Sequence, residues 1–178
     1  MPISLKKIAL PAVLVALMVL WITRPSVADD ESALVGKPAP QIDLTTLTGE
    51  RANLAEMKGK VVVLDFWATW CPPCVKALPH VNKIANDAGL AEKGLVVWGV
   101  NAQEAEGKIK TFMQKNSFTF TVPIDETGET MKAFDVQGIP TQIVIGRDGV
   151  VKHVSVGYGG KEGDAKLDAV IDAALAQK

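Results

Sequence analysis

Val63-Leu64-Asp65-Phe66-Trp67-Ala68-Thr69-Trp70-Cys71-Pro72-Pro73-Cys74 runs from an apolar segment directly into a pair of cysteines. The apolar run starts at Val61 and is broken as far as Phe66 only by Asp65. A short, β-branched run of this kind predicts a central strand buried on both faces. Pro72 and Pro73 fit the first turn of a helix, where a missing N–H is not needed. The helix is predicted over 72–88, with Gly89 as its stop. Cys71 therefore stands where a strand ends and a helix begins. Unpaired N–H groups and the positive helix end meet there, and both favour a thiolate. Cys74 lies one turn on, within reach of a small ring with Cys71.

Outward from this segment the pattern alternates strand and helix. Before it, Ile42, Leu44, Leu47 and Leu54 alternate loosely about Thr48-Gly49-Glu50, which predicts a hairpin. After it, Leu95 to Val100 predicts a second buried strand, and Ile109, Phe112 and Met113 mark a second helix. A segment through Phe118, Phe120 and Val122 leads to Pro123, and Met131 to Phe134 reads as a helical turn. Gln142 to Ile145 and Val150 to Val156 predict strands joined at Asp148-Gly149. Leu167, Val170, Ile171, Ala174 and Leu175 form the apolar stripe of a closing helix. The order βαβαββα after a hairpin implies an α/β domain with a mixed sheet and helices on both faces.

The first 28 residues differ in kind. Lys6 and Lys7 precede an apolar run from Ile8 to Ile22, followed by Arg24 and Ser26-Val27-Ala28. This is the pattern of a secretory signal cleaved after Ala28. Fifteen helical residues rise about 22 Å, short of the roughly 30 Å hydrocarbon core, yet an uncleaved anchor could form by snorkelling of its flanking cations. Residues 1–28 are thus a signal peptide or membrane anchor, 29–36 a linker and 37–178 the folded domain. Either leader expects the domain outside the cytoplasm, in the periplasm or held to the inner membrane. The 178 residues carry a net charge of −1, and removing the leader's three cations leaves 16 basic against 20 acidic residues, a net of −4. Such a domain offers no electrostatic footprint for nucleic acid.

Two cysteines do not make a disulfide scaffold. Zinc would need two further ligands, and His80 and His153 are the remaining soft donors. A purely structural bridge between near neighbours closes little chain and stabilises little. Redox use is the reading that remains best supported.

Residues 63–74 resemble the active-site strand and loop of the thioredoxin family. Gly138-Ile139-Pro140-Thr141 is similar to its cis-proline segment, and Pro79 matches the proline inside its first active-site helix. The leading hairpin and the extra residues between Leu95 and Pro123 resemble the membrane-associated TlpA/ResA branch. The resemblance implies a thioredoxin-like mixed sheet with an N-terminal hairpin extension and a central αβ insertion. It also implies an enzyme, an extracytoplasmic thiol–disulfide oxidoreductase with no cofactor beyond a redox-active Cys71–Cys74 disulfide and no metal. Cys71 would attack a partner disulfide and Cys74 would resolve the mixed disulfide. Asp65 would carry the Cys74 proton, its pKa raised by burial. Pro140 would be cis and would leave Ile139 backbone groups free to pair with an extended substrate. Trp70, Pro72 and Pro73 would line the contact surface, with Trp67 partly in the core. The implied partners are protein thiols and disulfides, a membrane electron-donor protein and, through an uncleaved leader, the membrane itself.

One position departs from the branch. Members that act in cytochrome c maturation often place a glutamate three residues after the second cysteine, where this chain has Ala77. Two other functions compete with disulfide reduction. A thiol peroxidase would place Thr three residues before its reactive cysteine, where Ala68 stands. Copper delivery would use Cys71, Cys74 and a histidine, since thiolates suit Cu(I), but neither histidine has motif context. Lys76, His80 and His153 carry no assigned role.

Overall fold

A computed structural model describes residues 32–177. The leader falls outside them. Among the described residues no helix is long and apolar enough to cross a membrane. The elements are β1 (Asp43–Thr45), β2 (Arg51–Asn53), β3 (Val61–Trp67), α1 (Pro72–Ala85), α2 (Ala88–Glu92), β4 (Leu95–Ala102), α3 (Glu106–Asn116), β5 (Ile124–Asp125), α4 (Glu129–Ala133), β6 (Thr141–Ile145), β7 (Val151–Val156) and α5 (Gly160–Ala176). β1 and β2 form the expected hairpin. The main sheet runs β5-β4-β3-β6-β7, with β3 parallel to β4 and antiparallel to β6.

Every residue of β3 is buried, as a strand covered on both faces must be. Alternation sorts its side chains. Val61 and Val63 pack with Val81 and Ile84 of α1 and Leu167 and Ile171 of α5. Val62, Leu64 and Phe66 face the other way, onto Phe134, Ile143 and hairpin residues including Ala52. A third cluster joins Trp67, Leu78, Ile109 and Phe120 around the two cysteines. The thioredoxin-like mixed sheet flanked by helices is therefore the architecture observed, with α3 and β5 as the central insertion.

Three local features differ from the sequence expectation. The helix does not run on to Gly89. It ends at Ala85, and Asp87 starts α2 by accepting a hydrogen bond from the Leu90 N–H at 3.0 Å. The segment leading past Pro123 is not a plain connection but carries the parallel edge strand β5. It is two residues long, too short to show a period. Residues 34–36, expected at the end of the linker, are held to the domain. Leu34 and Val35 pack on the core, and the Gly36 N–H donates to the Val151 carbonyl at 2.9 Å.

Gly99 in β4 lets this packing close. A Cβ there would stand 2.3 Å from the Phe120 ring and 3.0 Å from Trp67 Nε1. Trp67 is fully buried and donates to the Gly99 carbonyl at 3.1 Å. Gly99→Ala should therefore destabilise the domain by about 2–3 kcal/mol through overpacking. The urea midpoint reads this directly, and an unchanged midpoint would mean that Phe120 yields freely.

Candidate functional site

The site forms where β3 ends. Cys71 and Cys74 are joined in a disulfide. Cys71 is the N-cap of α1, and its Sγ accepts a hydrogen bond from the Cys74 N–H at 3.2 Å. Pro72 and Pro73 fill the first helical positions and are exposed. Cys71 is 3% exposed and Cys74 not at all, so a partner approaching the bridge meets Cys71. The helix start supplies N–H groups and a positive field that would stabilise a Cys71 thiolate once the bridge opens.

The chain returns to the bridge from far away in sequence. The Ile139–Pro140 peptide is cis, and the Ile139 carbonyl oxygen lies 3.7 Å from Cys71 Sγ. In the disulfide state this is a contact between lone pairs, because the sulfur carries no proton. The segment is braced on both sides. Gly157 N–H donates to the Pro140 carbonyl at 2.7 Å, and the Thr141 hydroxyl donates to the Gly138 carbonyl at 2.6 Å. Trp70 is 63% exposed, next to Cys71. A large indole exposed beside a nearly buried disulfide is no part of the core. Trp67, by contrast, belongs wholly to the core.

Asp65 sits mid-strand with no exposure. It shares a sheet face with Val63 and Trp67, the face that α1 covers. Burial raises its pKa from 3.8 to about 7, opposed in small part by Gln142, which faces it across the β3–β6 ladder. Among the described residues neither carboxylate oxygen has a hydrogen-bond partner at ordinary geometry. A buried acid with so little to stabilise its charge holds its proton near neutral pH and can exchange it there.

Ala77 is buried, so this position sets no carboxylate beside Cys74. His80 meets Asp168 of α5 at 3.0 Å, and His153 lies on β7 opposite Val144. Among the described residues no three His, Cys, Asp or Glu side chains gather as a metal site.

Glu104 belongs to the site without having been legible in the sequence. This residue is 7% exposed and ties the loop before Cys71 to β4 and α3. Its Oε2 accepts from the Thr69 N–H at 2.6 Å and from Asn101 Nδ2 at 3.1 Å, and its Oε1 accepts from the Thr69 hydroxyl at 2.6 Å. Lys108 Nζ stands 2.6 Å from Oε1. Burial alone would raise the Glu104 pKa, but the bonds from Lys108, Thr69 and Asn101 outweigh it and hold the carboxyl below its ordinary value. The one local hint is a Glu–Lys pair four residues apart at a helix start.

Comparison with known proteins adds an independent line. The Redoxin family model matches residues 34–171. A thiol-disulfide oxidoreductase ResA of Bacillus cereus is 36% identical over 135 residues, covering 76% of this chain and 77% of its own length. The thioredoxin-like protein YneN of Bacillus subtilis (strain 168) is 36% identical over 137 residues, covering 75% and 78%. Among solved structures, a thiol:disulfide interchange protein of the thioredoxin family from Chlorobium tepidum TLS has a TM-score of 0.68 at 30% identity, over 78% of this chain and 96% of that one. A secreted Mycobacterium tuberculosis disulfide oxidoreductase, homologous to E. coli DsbE, has a TM-score of 0.63 at 25% identity, over 75% and 96%.

Proposed function

The chain belongs to the Redoxin family and is a thiol–disulfide oxidoreductase of the ResA/DsbE type, and from that premise we propose that it reduces disulfides in exported proteins outside the cytoplasm. The observation that carries the reading is the Cys71–Cys74 bridge at a helix start, with Ile139 against it and Trp70 exposed beside it.

In the proposed cycle the reduced protein presents a Cys71 thiolate. It attacks one sulfur of a partner disulfide, forming a mixed disulfide and expelling the other partner sulfur as a thiolate, which takes up a proton. The Asp65 carboxylate accepts the Cys74 proton, directly or through water. The Cys74 thiolate then attacks Cys71 Sγ and expels the second partner sulfur as a thiolate, which takes up a proton. Two electrons have passed to the partner, and the enzyme is left with the Cys71–Cys74 bridge. Ile139 backbone groups would pair with the partner's extended chain, while Trp70, Pro72 and Pro73 form the surface on which it lies. A membrane electron-donor protein would restore the dithiol, since no soluble reductant pool serves that compartment. The leader, cleaved or retained as an anchor, supports this location, as does the secreted relative.

The buried Ala77 favours a broad range of exported disulfides over a dedicated role in cytochrome c maturation. The test is a Cys74→Ala variant expressed with its leader. It should accumulate disulfide-linked adducts through Cys71 that reducing agent dissolves. Adducts with a set of exported proteins support the reading, and an apocytochrome c as the dominant adduct would replace it with the narrower one. No adducts, together with no insulin reduction by the wild-type protein, would sink both.

A further inference from the structure

We propose that Glu104 is a positioning residue for this chemistry, holding the Thr69-Trp70 segment so that Trp70 and Cys71 form a preset docking surface for protein disulfides.

A carboxylate held charged in a site with 7% exposure is retained only where its oxygens are well satisfied. Here they receive four donors, two of them from one residue. Thr69 gives both its backbone N–H and its hydroxyl, at 2.6 Å each. A backbone N–H held by a buried charge fixes the chain more firmly than a side-chain contact would. The network has a further expense. Asn101 is fully buried, and among the described residues its Oδ1 has no hydrogen-bond partner, while its Nδ2 serves Glu104. Flipping the amide would set Oδ1 against the Glu104 carboxylate, so this orientation is the one the network allows. The clamp thus fixes which way the Asn101 amide faces.

The clamped residue is the informative one. Thr69 directly precedes Trp70, whose indole is 63% exposed and so gains no position from core packing. What fixes the Trp70 backbone must come from its neighbours. On the other side the Cys71 N–H donates to the Ala68 carbonyl at 3.2 Å, closing a turn over the segment that Glu104 grips. The clamp also joins elements distant in sequence, since Glu104 follows β4 and Lys108 lies on α3. A docking surface that is already ordered spares its partner the entropy of ordering it.

This inference rests on the proposed function, and the test separates the two. Glu104→Gln removes the charge that holds the clamp, Thr69→Val removes its hydroxyl bond and leaves the backbone N–H bond, and Thr69→Ser keeps both. Reduction of insulin should lose roughly tenfold in kcat/KM in Glu104→Gln, mostly through KM, as expected for a misplaced binding element. Reduction of a small aromatic disulfide, which needs no docking surface, should change by less than about twofold. Thr69→Val, which keeps the backbone bond, should lose in the same direction but less than Glu104→Gln, and Thr69→Ser should stay near wild type. Equal loss on both substrates, or loss on neither, would overturn the proposal. Should Glu104→Gln fail to fold, the two Thr69 variants carry the test alone. Should the wild-type protein leave insulin untouched and Cys74→Ala trap no adducts, the functional reading fails. Amide exchange at Thr69 and Cys71 then reads the clamp by itself. It should quicken most in Glu104→Gln, less in Thr69→Val and not in Thr69→Ser, and unchanged exchange in the first two would overturn the proposal.

Discussion

Cys71→Ser should lose at least ~10³-fold in disulfide reduction while the fold stays intact. A serine hydroxyl is not ionised at neutral pH and forms no disulfide, so the first step of the proposed cycle has no nucleophile. The structure explains why little else should change. Cys71 is the N-cap of α1, and its Sγ accepts from the Cys74 N–H. Serine is among the preferred N-caps and can accept the same bond. The lost bridge spans neighbours three apart, and a ring that short contributes little through chain entropy. The unfolding free energy read from urea curves should therefore fall by no more than about 2 kcal/mol while insulin reduction disappears. A variant that still reduces insulin, with Cys74 alkylated first in the reduced wild type, would reverse the assigned order of attack.

The second large effect is expected at Asp65, and its sign depends on pH. Burial holds its pKa at about 7 in the folded protein, against 3.8 for the free side chain. Below about pH 4 the carboxyl is protonated in both states and costs nothing. As pH rises toward 7 the unfolded chain releases this proton more readily than the folded one, so stability falls. Above pH 7 the penalty is complete, roughly 4 kcal/mol for a shift of this size. Asp65→Asn removes the ionisation but leaves a buried amide, which costs about 1–3 kcal/mol of its own. The variant should thus be no more stable than wild type at pH 4 and about 2 kcal/mol more stable at pH 8. Without the carboxylate the resolving step should slow by roughly 10²-fold. Urea midpoints at several pH values, paired with turnover, check both halves. Parallel stability curves would place the titration elsewhere, and undiminished turnover would remove Asp65 from the proton path.

Much of this was legible because it is local. β3 declares itself through an unbroken β-branched run, and Cys71 through its place between that run and two prolines. Asp65 could be read as buried because its strand neighbours leave it no exposed side. The Asp148-Gly149 turn and the closing helix follow from short-range pattern in the same way. What escaped is set by contacts that no window of sequence contains. The clamp on Thr69 comes from Glu104, 35 residues away, and neither residue type at its position signals the other. β5 consists of two residues whose strand character exists through pairing with β4. The end of α1 turned on which of two breakers acts first. Asp87 captures the Leu90 N–H, so the chain re-enters a helix through Gly89 rather than stopping there. The contact of Ile139 with Cys71, 68 residues apart, was reached through resemblance, since spacing alone gives no reason for it.

Arg147 closes the molecule at the other end. It follows β6 and donates to the carbonyls of Gly59, Lys93, Leu175 and Gln177. Gly59 and Lys93 lie just before β3 and β4, and the remaining two finish α5. One guanidinium thus binds strand starts and the C-terminal helix at the pole opposite the disulfide, which follows the end of β3. A surface or electrode coupled beyond Gln177 would be gripped through this end, with Trp70 and the disulfide turned toward solution. The protein has in effect a handle and a working tip on opposite ends of one sheet, so tethering it by the handle would leave the dithiol uncovered for a soluble partner.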